Sequence, residues 1–493
     1  MTVLAFDLGA GSGRLVAGRL DGKHLIVEEI HRFANDPVQV GERLHWDILR
    51  LFHEMKQGIL KAKHRCGSAN FRSMGIDSWA VDFGLIGRHG ELLGNPYHYR
   101  DHHTDGMMDE VFKVIPKKDI FRRTGIQFLQ FNTIYQLAAM KKARSPLLEQ
   151  AETLLMIPDL LRYFFTGERF GEFTNATTTQ LFHPLDKVYD PVLLGKLGLP
   201  AHWFPAVVQP GTRIGELRAR VAKELGCPAI PVTAVAEHDT GSGVVSIPAA
   251  ERDFAYLISG TWSLMGTEVT EPVLNDEALA MNFTNEGGAY DTFRLLKNIM
   301  GLWILEECRR TWQKEGAQLT YDVMLQEAEQ AAPFRCFIDP DDPVFLNPDH
   351  MPAAIQDFCR KTGQPVPEGI GPVLRCVLES LALKYRVVFE GIERLSGKRF
   401  SGLHIAGGGI KNRLLCRFTA NAIGRPVWTG PSEGSAIGNL LVQLISLGDI
   451  RDVWEARAIV RSSFPVDEIE PEDAAQWEEA YGKFLQLLKR LGA

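Results

Sequence analysis

The chain opens on an apolar run, Val3-Leu4-Ala5-Phe6, that stops at Asp7, which predicts a short buried strand ending in a carboxylate. A glycine-dense turn follows, Gly9-Ala10-Gly11-Ser12-Gly13-Arg14. Residues 15–20 and 25–33 read as two further strands, divided by the hairpin signal Asp21-Gly22. A helix is predicted over 47–62, with Ile48, Leu51, Phe52, Met55, Ile59 and Leu60 on one face. Residues 73–79 and 81–86 read as strands, and 119–209 carry short helix and turn signals. Another buried strand, 228–236, leads into Glu237-His238-Asp239-Thr240-Gly241.

After Gly243 the pattern restarts. Residues 254–259 read as a strand, Gly260-Thr261 as a turn and 262–269 as the returning strand. The echo of the opening predicts two related domains, 1–245 and 246–493, meeting between residues 243 and 253. Length agrees, because 493 residues exceed what one hydrophobic core organises. Residues 402–406 form a strand that runs into Gly407-Gly408-Gly409 and a helix from Asn412, and an amphipathic helix closes the chain over 473–491.

Composition narrows the class. The chain is 45% hydrophobic and 23% charged, the balance of a globular protein rather than a disordered or fibrous one. A net charge of −7 gives no global attraction to nucleic acid or anionic membrane. No apolar run approaches the roughly 20 residues of a membrane span, and the N-terminus lacks the basic and apolar regions of a signal peptide, so a cytoplasmic setting is expected. Seven cysteines are widely spread with no CxxC pair, which argues against a zinc site or disulfide scaffold and leaves only a Cys66–Cys227 bridge open. His98 and His102 are four apart, but in a Pro- and Asp-punctuated loop rather than the helix on which that spacing binds metal.

Standard catalytic motifs are mostly excluded. There is no GxxxxGK[ST], and Arg14 stands where a dinucleotide fingerprint needs its third glycine. Gly430-Pro431-Ser432-Glu433-Gly434 matches GxSxG, but no histidine follows His404, so a hydrolase triad in that chain order cannot be completed. What remains is a pair of small-residue hairpins, a triglycine turn and acids at two strand ends. Backbone amides in the first turn can cradle an anion, and Asp7 can hold Mg2+ through water, or both can be purely structural. Asp239 reads either as a helix N-cap or as a general base beside an acceptor hydroxyl. Three glycines at 407–409 clear space for a flat ring or a phosphate, or simply make a tight turn. Together these features describe a nucleotide held between two halves.

That combination resembles the superfamily shared by actin, the heat-shock ATPases and the sugar kinases, and within it the FGGY family of carbohydrate kinases. The resemblance spans nearly the whole chain. It is carried by Phe6-Asp7-Leu8-Gly9-Ala10-Gly11-Ser12-Gly13-Arg14, by residues 75–83 and 174–181, by His238-Asp239-Thr240, by 259–266, by Lys297-Asn298-Ile299-Met300-Gly301-Leu302-Trp303 and by His404-Ile405-Ala406-Gly407-Gly408-Gly409. The threonine-rich and Asn-Ile-Met-Gly-Leu-Trp segments narrow it to the branch that phosphorylates L-rhamnulose.

The resemblance implies an α/β fold of two ribonuclease H-like domains with a cleft between them, closing over ATP and sugar. Asp239 is then the base that takes the proton of the sugar 1-hydroxyl. Ala10, Gly11, Ser12, Gly13 and Arg14 form the first phosphate hairpin, Asp7 the Mg2+ site, and Thr261 the second hairpin, with Gly408 near adenosine. Ala80, His238, Thr240, Asn298 and Asp82 line the sugar. Three departures from the family pattern stand out: Ala80 in place of glycine, Glu306 where a nucleotide-contacting Gln is usual, and His103 where arginine is usual. Alternatives are a relative acting on L-fuculose, L-xylulose or another ketose or polyol, and a nucleotide-switched binding protein on the same fold. The implied partners are a small sugar and ATP, without nucleic acid or membrane.

Overall fold

A computed structural model of the protein describes residues 2–67 and 71–492. The chain divides into two compact units that interleave in sequence. The first comprises Met1–Ala250, Glu268–Leu295 and Glu433–Phe464, and the second Glu251–Thr267, Leu296–Ser432 and Pro465–Ala493.

In the first unit a six-stranded sheet runs in the order Thr212–Glu216, Pro231–Ala234, Phe71–Ser78, Thr2–Leu8, Ser12–Asp21, His24–Ala34. Every residue of Thr2–Leu8 is buried, which is why this strand reads as an unbroken apolar run. It pairs antiparallel with Ser12–Asp21 and parallel with Phe71–Ser78, so Asp7 stands opposite Arg14 on one side and Asp77 on the other. Alternation along the strand then divides the core. Phe6 and Leu15 face helix Ile48–Cys66, where Gly58 lets them approach, while Val3, Ala5 and Val16 face Leu440 and Leu441 of helix Gly434–Ser446. Asp47 caps the first of these helices, its Oδ1 accepting from Arg50 N at 3.1 Å. That helix outruns the sequence expectation, and Lys63, His64 and Arg65 in its last turn complement the helix dipole.

The second unit repeats the motif. Strand Ala255–Ser259 pairs antiparallel with Trp262–Val269 and parallel with Leu403–Ala406, which pairs in turn with Val427–Thr429 and that with Asp467–Ile469. The 27-residue helix Ile370–Ser396 is its backbone, and helices Tyr321–Gln330, Arg413–Ile423 and Ala474–Leu491 pack on it.

One expectation changes, and one open question closes. The segment 81–86 is not a strand from its start: the strand is Phe83–Ile86, and Val81 has φ +67. A β-branched residue in the left-handed region is strained, and Val81 is held there by its carbonyl, which accepts from Thr133 Oγ1 at 2.6 Å and Gln136 Nε2 at 3.4 Å. Tertiary hydrogen bonds override the local β preference of valine at that position. The Cys66–Cys227 bridge is absent, since all seven cysteines are free thiols. No helix among the described residues is long and apolar enough to cross a membrane.

Candidate active site

Three carboxylates gather at neighbouring strand ends of the first unit. Asp7 and Asp77 close the parallel pair, and Asp239 starts helix Asp239–Val245 just beyond strand Pro231–Ala234. The link from that strand is fixed by backbone pairing, because Ser78 N donates to Glu237 O at 2.9 Å and Ser78 bridges His238. Asp77 is wholly buried: its Oδ2 accepts from Asn439 Nδ2 at 2.6 Å, and its Oδ1 has no hydrogen-bond partner. Burial, then the nearby Asp7 charge, pushes the Asp77 pKa well above the usual carboxylate range. Asp239 alone keeps an outlet, its side chain 27% exposed, and Oδ1 accepts from Thr240 N at 2.6 Å and Thr240 Oγ1 at 3.2 Å. Burial raises its pKa too, with His238 opposing and the Asp7 charge adding. Asp239 is therefore both a helix-start residue and an accessible carboxylate; the two sequence readings coexist.

The first hairpin is held from behind. Gly9 N donates to Ser12 O at 2.9 Å, Asn35 N donates to Gly11 O at 3.3 Å and Asn35 Nδ2 donates to Gly9 O at 2.9 Å, while Gly11 remains exposed with open space where a Cβ would stand. Gly13 must be glycine, because a Cβ there would lie 2.3 Å from the Phe33 ring. Arg14 donates to Asp7 Oδ2 through Nε at 2.9 Å and pairs also with Glu433, the residue that the GxSxG segment contributes.

The expected sugar-side residues of the first unit fall into two groups. His238 N donates to Thr174 Oγ1 at 3.1 Å, and the ring Nδ1 lies 3.2 Å from Glu286 Oε2 and 3.0 Å from Arg294 NH2. Behind them Glu172 accepts from Glu237 N at 3.1 Å and Thr174 Oγ1 at 2.6 Å, and Arg162 binds Glu237 and Asp159 at 2.8 and 2.6 Å. Burial first, then the Glu237 charge, pushes Glu172 up to about 8. The second group is Ala80 and Asp82. Ala80 is half-buried at the Val81 turn. Asp82 Oδ2 accepts from Trp46 Nε1 at 2.6 Å, Trp79 Nε1 at 3.0 Å and Tyr99 N at 3.2 Å, and Oδ1 from Gln136 Nε2 at 2.7 Å. With four donors and 1% exposure, Asp82 sets the Trp46–Trp79 stack, centroids 4.1 Å apart. Burial pushes its pKa to about 7 against those bonds.

In the second unit Thr261 is the exposed tip of the hairpin between Ala255–Ser259 and Trp262–Val269, closed by Gly260 N donating to Trp262 O at 2.9 Å. The next helix, Trp303–Lys314, is tied to that tip: Leu302 N donates to Gly260 O and Trp303 N to Thr261 O, both at 3.1 Å. Glu306, on this helix, is paired with Arg309 at 2.5 Å and Arg310 at 3.4 Å. Asn298 is half-buried on strand Phe293–Met300. Gly407 has φ +92, and a Cβ at Gly409 would lie 2.0 Å from Ser259 Oγ, whereas Gly408 is exposed with open space above it. So Gly407 and Gly409 make the turn, and Gly408 is the one free to meet a ligand.

Sequence reasoning missed Asp77, Glu286, Arg294 and the Arg162 network, whose significance appears only when distant segments are joined. It also missed Lys384, which lies 2.8 Å from Asp339 and 3.0 Å from Asp341. Asp77 does sit within the 75–83 segment, so a charge count of that strand end would have flagged it. His103, the third departure, donates its N–H to Asp101 at 2.8 Å and stacks on Tyr97 at 4.7 Å. His98 packs against Trp46 and stacks on Tyr99, and His102 pairs with Asp105, so these two histidines serve the loop.

The FGGY family model of carbohydrate kinases matches the chain twice, its N-terminal domain over residues 2–246 and its C-terminal domain over 255–447. The chain is 46% identical over 480 residues to the rhamnulokinase of Bacteroides thetaiotaomicron, covering 97% of this chain and 98% of the relative. It is 39% identical over 477 residues to the rhamnulokinase of Bacillus subtilis, covering 96% of each. Among solved structures it resembles a ligand-bound xylulose kinase from Lactobacillus acidophilus, with TM-score 0.82 at 16% identity, covering 100% of this chain and 98% of that one. It also resembles a Plasmodium falciparum glycerol kinase with ADP, with TM-score 0.79 at 13% identity, covering 99% and 98%.

Proposed function

The chain belongs to the FGGY family of carbohydrate kinases, and on that premise we propose that it transfers the γ-phosphoryl group of ATP to the 1-hydroxyl of L-rhamnulose, giving L-rhamnulose 1-phosphate and ADP. The substrate follows from full-length likeness to rhamnulokinases. The chemistry follows from one observation: of three carboxylates at adjacent strand ends, only Asp239 is exposed enough to reach a hydroxyl.

Asp239 accepts the proton as the sugar oxygen attacks, and its raised pKa strengthens it as a base for that transfer. Thr240 holds the carboxylate in place through Oδ1. His238, kept in orientation by Glu286, Arg294 and Thr174, and Ala80, presented by the Val81 turn, orient the sugar, Asp82 acts through Trp79, and Asn298 is the sugar residue that the second unit supplies by the family resemblance. The amides of residues 10–13 and the Arg14 guanidinium receive phosphate oxygens, as does the Thr261 hairpin, and Gly408 clears the adenosine end. Glu306, engaged by two arginines, acts on the nucleotide side only through their charge.

A hydrated Mg2+ fits the acid end. The charge of Asp7 bears on the buried Asp77, so a divalent cation that Asp7 would hold through water would offset negative charge at this end of the site. When bound it neutralises phosphate charge. By the same reading 1–245 carries the sugar side, first hairpin and base, and 246–493 the second hairpin and adenosine site, in a cytoplasmic enzyme. The test is substrate-stimulated ADP formation across ketoses and polyols. Preference for L-fuculose or L-xylulose would change the substrate and keep the chemistry.

A further inference from the structure

The second unit brings together three cysteines that the sequence keeps apart. Cys336 lies in the loop after helix Tyr321–Gln330, Cys359 near the end of helix Met351–Lys361 and Cys376 in the second turn of helix Ile370–Ser396. Their sulfurs all lie within 4.8 Å of one another, and all three residues are buried. Wide spacing argued against a metal site, but spacing reports only sites built on one short segment.

We propose that Cys336, Cys359 and Cys376 form a site for one thiophilic divalent cation of the Zn2+ class, with its fourth position open to the adjoining cavity. Zn–S bonds of about 2.3 Å put tetrahedral sulfurs roughly 3.8 Å apart, so a side-chain adjustment of about an ångström closes the set. The backbone is already clamped around it. Phe337 N donates to Gln364 Oε1 at 2.8 Å and Gln364 Nε2 to Phe337 O at 2.8 Å, fixing the Cys336 loop to the chain just after Cys359. On the other side Phe334 N donates to Glu379 Oε2 at 2.8 Å and Ile338 N to Ser380 Oγ at 2.9 Å, fixing that loop to the helix of Cys376. Such supporting bonds are what hold ligands in place before metal arrives.

The surroundings separate this trio from thiols packed as small hydrophobes. Cys336 and Cys376 line a cavity of about 240 Å³ whose charged lining is Arg335, Arg375, Glu368 and Glu379. Glu379 is already occupied, accepting from Arg375 Nε at 2.6 Å and from Phe334 N, and the cavity leaves room for water as the fourth ligand. Three thiolates around Zn2+ leave one net negative charge, beside a lining in which Arg335 and Arg375 stand against Glu368 and Glu379. Binding is a proton-for-metal exchange: Zn2+ and three thiols give the zinc trithiolate and three protons, and no electrons move. The site would staple three segments of a unit that has no disulfide among its described residues.

The test is Co2+ titration of the full-length protein kept reduced, followed by Zn2+ competition. The expected result is sulfur-to-cobalt charge-transfer absorption that saturates at one equivalent, is abolished by Zn2+ and by Cys336→Ser, and survives Cys227→Ser. Should Cys336→Ser fail to fold, the wild type still decides: Zn2+ should slow alkylation of cysteines 336, 359 and 376 at least tenfold and leave Cys66 and Cys227 unchanged. Absence of both the absorption and the protection overturns the site. So does a disulfide between any two of the three that forms as fast with Zn2+ as without it.

Discussion

Asp239 differs from Asp7 and Asp77 in what its surroundings leave open, and the proposed roles rest on that difference. Asp239→Asn keeps the shape and removes the base, so kcat should fall about 10²- to 10⁴-fold with KM for the sugar little changed, as steady-state kinetics will read. If Asp239 is the base, its ionised form acts, and because burial raises its pKa, kcat/KM should rise with pH through a midpoint above the ordinary carboxylate range. A pH profile whose acid limb lies near 4 would contradict that environment. Asp82→Asn sets an amide N–H against the Gln136 N–H or against those of Trp46, Trp79 and Tyr99, which should cost about 1–3 kcal/mol in denaturant unfolding and raise KM. At this scale the sequence marked Asp7, Arg14 and Asp239, because a glycine turn and a polar strand end are local signals. Val81, Glu286 and Arg294 were not legible: their roles arise from partners dozens of residues away.

Turns and helices carry the next set of constraints. The two glycines that build the 407–409 turn and the one that is free should respond differently. Gly409→Ala drives a Cβ into Ser259 and should destabilise by about 1–3 kcal/mol, whereas Gly408→Ala should leave the melting temperature unchanged and raise KM for ATP. Equal stability losses would refute that division. Arg162→Met leaves Glu237 buried without its cation next to Asp159 and Glu172, and a loss of about 3–5 kcal/mol in unfolding experiments is expected. Strands and the amphipathic C-terminal helix were readable from period and turn residues. Helix Ile370–Ser396 was harder to read, since it buries Glu379, Ser380, Lys384 and Glu393 along with its apolar residues.

For the whole molecule, the internal echo at 254–269 correctly pointed to a repeated strand–hairpin–strand motif, visible in the matching antiparallel and parallel partners of Thr2–Leu8 and Ala255–Ser259. What sequence order could not show is that the first unit borrows residues 433–464. Helix Gly434–Ser446 covers its sheet, with Gln443 Nε2 donating to Leu4 O at 2.9 Å and Asn439 to Asp77. A fragment of residues 1–250 should therefore fail to fold cooperatively, and a sharp thermal transition in that fragment would contradict the interleaving. The central claim, a ketose kinase with Asp239 as base, is tested most directly by Mg-ATP-dependent ADP release over a sugar panel, wild type beside Asp239→Asn. The account predicts the highest turnover on L-rhamnulose and its loss in the variant; turnover that no sugar stimulates, or that survives in the variant, would contradict it.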